Sequence, residues 1–125
     1  MPSKATRPLE YVCLFPADLP TKEGDVFVFL FVDAYSQLLF NTGVERDREP
    51  LTVLKHIDLL MKNKNFCKHK KNGFTLVLHK YDDLIPLATS IVQPHNGTVI
   101  VNAKYVAKVM APALKEFVSH ISKRI

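Results

Sequence analysis

The side chains of this sequence that could do chemistry are five histidines, two cysteines, a few serines and two groups of lysines. His56, His69, His79, His95 and His120 show no His-x-x-x-His or His-Glu-x-x-His spacing, so no two of them are set on one helix face for zinc. They read as separate, solvated imidazoles. Cys13 and Cys67 form no Cys-x-x-Cys pair and are too few for a structural zinc site, so they read as reduced thiols. Ser36 and Ser90 have no nucleophile elbow around them, and a chain with 4 Gly carries no glycine-rich phosphate loop. Nucleophilic hydrolases and nucleotide-binding enzymes therefore have no support.

The lysines are more informative. Lys62, Lys64, Lys68, Lys70 and Lys71 cluster with His69 around a single aromatic, Phe66, a composition suited to phosphate contact rather than base stacking. The same run also reads as a solvated loop. Further on, Lys104, Lys108 and Lys115 are spaced by four and seven and share one face of the last helix, which an exposed helix face would also explain. The formal net charge is +5, from 17 Lys+Arg against 12 Asp+Glu, which makes a polyanionic partner plausible.

At 125 residues and 47% hydrophobic content the chain is one globular domain, able to bury roughly two-thirds of its unfolded surface. The longest apolar run, Val26 to Ala34, is interrupted by Asp33 and is about half the ~20 residues of a membrane span. The first residues lack a secretory pattern, so a cytoplasmic location is expected. Residues 1–9, with Pro2 and Pro8, read as an extended arm or linker, and the domain as 10–125.

The domain opens with Tyr11 to Phe15, a β-prone run expected to end at Pro16, followed by a turn over Leu19 to Gly24. Val26 to Val32 is apolar at every position, the pattern of a strand covered on both faces, and Gln37 to Gly43 is its hairpin partner. Pro50 to Asn63 carries Val53, Leu54, Ile57, Leu60 and Met61 at spacings of three and four, an amphipathic helix. A basic loop, 62–73, leads to a strand at Phe74 to Leu78. A short helix follows over Asp83 to Ser90, then a turn over Gln93 to Gly97, and a long helix runs from about Val101 to Ser122 with Pro112 inside it.

Leu19-Pro20-Thr21-Lys22-Glu23-Gly24 through Phe31-Val32-Asp33-Ala34-Tyr35-Ser36 resembles the Pro-x-x-x-Gly turn, hydrophobic strand and Asp-x-x-Ser ending of retroviral and transposon integrase cores. Pro94-His95-Asn96-Gly97, then Asn102, is similar to that family's Pro-x-x-Asn-Gly-x-x-Glu-x-x-Asn approach to its last helix, with one residue fewer before each Asn. The resemblance implies a ribonuclease-H-like α/β fold: a mixed sheet of three antiparallel strands, then crossover-connected strands, with helices packed on it.

It also implies three carboxylates around two divalent metal ions. Carried over by position, these fall on Phe15, on Lys80 or Tyr81, and on Ile100, while the aromatic ahead of the first falls on Val12. The resemblance thus implies a catalytically inactive domain with no metal and no small-molecule cofactor. Magnesium or manganese would enter only if Asp18, Asp82 and Asp83 served instead, and these read as turn and cap residues. Lys104 matches a position that contacts DNA in the family, whereas the next such position holds Ala107. The leading expectation is non-specific DNA binding through Lys62, Lys64, Lys68, Lys70, Lys71, Lys104 and Lys108. The alternative is a protein-interaction or homodimerisation scaffold, and a metal-dependent nuclease is a third reading.

Overall fold

The structure is a computed structural model that describes residues 4–70 and 73–122, with side chains described as far as Glu116. Pro2, Lys71, His120 and Ser122, all named above, lie outside the described side chains. Five strands form one sheet in the order β3-β2-β1-β4-β5: β1 (Tyr11–Thr21), β2 (Gly24–Asp33), β3 (Leu39–Glu45), β4 (Phe74–Leu78) and β5 (Gly97–Val101). The first three pair antiparallel, and β4 and β5 add parallel to β1. Helices α1 (Pro50–Met61), α2 (Lys64–His69), α3 (Ile85–Val92) and α4 (Ala103–Ser122) complete the α/β fold.

Strand β2 lies between β3 and β1, and its alternate residues feed two different cores. Phe29 and Phe31 join Val12, Leu14, Leu76 and Leu78 beneath α1 and α3, where Val53, Ile57, Leu60, Ala88 and Val92 meet them. Val32 turns the other way and packs with Cys13 and Val77 beneath Val106, Val109 and Met110 of α4. Val28 and Leu30 continue that face toward Ala17. Each of these large apolar side chains, once buried, contributes about 1.5–3 kcal/mol before entropy is charged.

Strand β1 does not stop at Pro16 but runs through it to Thr21. Its pairing with β4 ends at Leu14, whereas its pairing with β2 continues, so Pro16 lies where no strand on the β4 side needs its missing N–H. The expected six-residue turn shrinks to Lys22 and Glu23, closed by Gly24 at φ +115°. Leu9, assigned to the arm, is buried in the α1-side core.

Two other elements differ from expectation. The basic loop contains helix α2, because Phe66 is fully buried between Phe40 and Phe74, with ring centroids 5.7 and 5.1 Å away. Asn63 caps that helix by accepting the Phe66 N–H at 2.9 Å. The turn over Gln93 to Gly97 is a short 3-10 segment, Gln93–His95, that delivers Gly97 into strand β5 rather than into a helix. At Gly97 a Cβ would stand 2.6 Å from Phe74 Cζ and 2.8 Å from Val92 Cβ, so this close approach requires glycine. The last helix begins later than expected, at Ala103, with Asn102 accepting the Tyr105 N–H at 3.0 Å.

His56 is buried, unlike the solvated imidazole expected of it. It stacks on Phe29 at 4.1 Å. Its Nε2 donates to Glu45 Oε2 at 2.6 Å, and its Nδ1 lies 2.6 Å from the Thr42 hydroxyl. A bulge makes this possible: the β2–β3 register shifts between Phe29 and Leu30, leaving Thr42 as the extra residue. Lys55 reaches the same Glu45 oxygen at 2.9 Å, and these two partners, Lys55 first, hold the Glu45 carboxyl below its ordinary range.

Candidate nucleic-acid interface

The register of β1 and β4 sets what stands at and beside the places implied for metal-binding carboxylates, Phe15 on β1 and Lys80 or Tyr81 beyond β4. Leu14 pairs with Leu78, so Phe15 and His79 emerge side by side at the ends of the paired segments, their rings edge-to-face at 5.1 Å. Tyr81 adds a second edge contact to His79 at 5.5 Å. Burial, and then the charges of Lys80 and Arg48, push the His79 imidazole down to about 4, leaving it neutral at pH 7. Tyr81 sits in the left-handed region at φ +77°, donates its hydroxyl to the Arg48 carbonyl at 2.8 Å and lies beneath the Lys80 ammonium at 5.1 Å.

Ile100 is on strand β5, not on a helix, and packs with the α4-side core. Asp18 is exposed in the β1–β2 hairpin, and Asp82 and Asp83 are exposed in a 3-10 turn ahead of α3. Among the described residues no group of three or more His, Cys, Asp or Glu side chains is placed to hold a metal ion. Phe15 and Ile100 carry no side-chain oxygen to offer a magnesium ion.

The Asp-x-x-Ser match has a structural task. Asp33 is buried, and its Oδ1 accepts the Leu9 and Tyr35 N–H groups at 2.9 and 3.1 Å. Its Oδ2 accepts the Ser36 hydroxyl at 2.6 Å and the Ser36 N–H at 3.3 Å. The carboxylate thereby ties the N-terminal segment to the β2–β3 turn. Nearby Cys13 is also buried, and desolvation together with the Asp33 charge pushes its thiol up to about 12, which makes it inert.

The lysines point outward from fixed frames. On α2, Lys64 and Lys68 are exposed one turn apart, on the side opposite buried Phe66. Lys62 is committed to Asp58 at 2.9 Å, and Lys70 is half-buried. On α4, Lys104, Lys108 and Lys115 are exposed opposite the buried stripe of Val106, Val109, Met110 and Ala113. Lys104 and Lys108 are in no ion pair among the described residues. Lys4, which carries no motif and so gave no signal in sequence, lines the same crevice as Lys108.

No family profile matches the sequence, and no curated protein matches it. Solved structures do match in shape. A chain of the simian T-cell lymphotropic virus intasome, solved in complex with the PP2A regulatory subunit B56 gamma, superposes with a TM-score of 0.66 at 8% identity. The HTLV-2 integrase catalytic core domain, solved with magnesium in a dimeric form, superposes with a TM-score of 0.58 at 5% identity. The fold is that of a retroviral integrase core. This chain is covered to 92% and 93% in the two comparisons, and it spans 42% of the simian virus chain and 76% of the HTLV-2 chain. The integrase-like architecture thus extends from the antiparallel β1–β3 unit through the parallel β4 and β5 to α4.

Proposed function

We propose that this chain is an integrase-core-like domain that has given up metal-dependent strand transfer and binds nucleic acid without sequence specificity. The observation that carries the reading is that two positions where the resemblance implies carboxylates, Phe15 and Tyr81, are aromatic and pack edge-on against His79, while Lys64, Lys68, Lys104 and Lys108 are exposed and in no ion pair among the described residues. The edge-to-face aromatic contacts stabilise the domain there, and the Phe15 side chain has no atom that could ligate a metal. The exposed lysines retain the one property that phosphate binding needs.

The test is fluorescence anisotropy of a labelled duplex, titrated at two salt concentrations with and without magnesium. α2 and α4 lie on opposite faces of the sheet, so a duplex meets one lysine pair, Lys64 and Lys68 or Lys104 and Lys108; neutralising about two phosphates makes affinity fall roughly tenfold between about 50 and 200 mM salt. Magnesium leaves the affinity unchanged apart from its ionic strength, and the duplex is not nicked. Absence of binding at low salt refutes the reading.

Exposed leucines favour a second reading, a homodimerisation scaffold. Leu51 on α1 and Leu87 on α3 are 80% and 55% exposed on two helices that pack together. Sedimentation with and without Leu51→Lys distinguishes this case, because a dimer held there dissociates on the substitution.

A further inference from the structure

The crevice that joins Lys4 to Lys108 lies between the N-terminal segment, the β2–β3 turn and α4, and has a volume of about 420 Å³. That is within the roughly 300–1,000 Å³ of pockets that take small organic ligands, and suits one nucleotide better than a duplex. Its walls are set by contacts already made. Gln37 is held at φ +66° with its N–H on the Asp33 carbonyl at 2.8 Å, and Ala34 donates to the Tyr11 carbonyl at 2.9 Å. Tyr105 is fixed by the Asn102 cap and by an edge contact to Tyr11 at 5.6 Å.

The lining divides by chemistry. Lys4 and Lys108 supply two ammonium groups, and among the described residues no Asp or Glu lines the crevice and neither lysine is in an ion pair. Ala34, Val109 and the Tyr105 ring supply apolar surface, and Gln37 supplies an amide that both donates and accepts. An inorganic anion would use the lysines alone. A fatty acid would bury the Gln37 amide without a partner. A ligand that combines an anion, a flat apolar body and hydrogen-bonding edges uses all of them.

We propose that this crevice binds a nucleoside monophosphate, free or as the end of a single strand, with its phosphate between Lys4 and Lys108 and its base against Tyr105 and Val109. The site needs no glycine-rich loop, because side-chain ammonium groups replace backbone amides at the phosphate. It rests on the nucleic-acid reading only in sharing Lys108.

The experiment is an amide proton–nitrogen NMR titration of the whole chain with adenosine monophosphate, adenosine and inorganic phosphate. The monophosphate should move the Ala34, Gln37, Tyr105 and Lys108 amides, saturating with a Kd of about 1 mM or below, with adenosine and phosphate each roughly tenfold weaker. Lys4→Glu and Lys108→Glu should each weaken the monophosphate by roughly tenfold or more, with dispersed spectra showing that both variants fold. Unmoved amides, equal affinity for phosphate alone, or variants that bind like the parent would overturn the proposal. Loss of duplex binding with the monophosphate shifts retained would sink the wider reading and leave this site standing, whereas a single-stranded 5′-phosphorylated oligonucleotide binding in the crevice would support both.

Discussion

Removing the Asp33 carboxylate should cost more than any other single polar deletion in the domain. In Asp33→Ala four hydrogen bonds are lost, from Leu9 N–H, Tyr35 N–H, Ser36 N–H and the Ser36 hydroxyl. Water can reach the partly buried Tyr35 and Ser36 groups, so their loss is modest. The Leu9 amide is buried and is left without an acceptor, at about 1–3 kcal/mol. With the charge-assisted bonds included, the total is about 3 kcal/mol, equivalent to a fall in Tm of roughly 12 °C for a chain of this size. Asp33→Asn keeps one acceptor oxygen and should cost about half as much. Because the chain has no Trp, urea unfolding is followed by far-ultraviolet circular dichroism. The Asn variant should bind duplex as the parent does, since the match to the integrase Asp-x-x-Ser pattern is structural here. An Ala variant within about 0.5 kcal/mol of the parent refutes the reasoning.

Other substitutions and titrations probe separate parts of the fold. The Glu45 carboxyl, lowered from its ordinary 4.5 by Lys55 and His56, contributes stability that is present above that value and lost as pH falls through the lower folded value. Glu45→Gln should therefore flatten the acid limb of a Tm-against-pH curve, and an unchanged acid limb counts against the pairing. His79 should titrate by imidazole NMR with a midpoint of about 4, and a midpoint at the ordinary 6.5 would show that it is not desolvated beside Phe15. Gly97→Ala should destabilise by about 1–3 kcal/mol in thermal melts, because its Cβ enters the space of Phe74 and Val92; a neutral result would mean that β5 can move away.

The elements legible in sequence were those with an unbroken signal. Val26 to Val32 is apolar throughout, and the stripe of Val53, Ile57 and Leu60 has helical spacing; both occur as read. The errors arise where tertiary context reverses a local rule. Pro16 stays within a strand because β4 is too short to ask for its N–H. The lysines flanking Phe66 disguised a helix whose one essential residue is an aromatic plug. The strand Gly97–Val101 has no counterpart in the sequence reading, because five residues between a turn and a helix leave little periodicity. Ile100, the last of the implied carboxylate positions, lies on that strand. The lysines of the candidate interface were legible by number, but not their frames: neither the Lys62 ion pair nor the approach of Lys4 to Lys108 has a local signature.

The extra residue in β3 has a consequence for how copies of this domain meet. β3 is an outer strand, and an unbroken outer strand offers a template along which another chain can polymerise. Inserting Thr42 breaks that template in mid-strand and inverts the facing of everything after it, which is what brings Glu45 round to His56. A chain lacking the insertion would present a continuous edge and turn the Glu45 carboxylate away from His56. The one extra residue thus both interrupts the β3 edge and sets the Glu45–His56 contact.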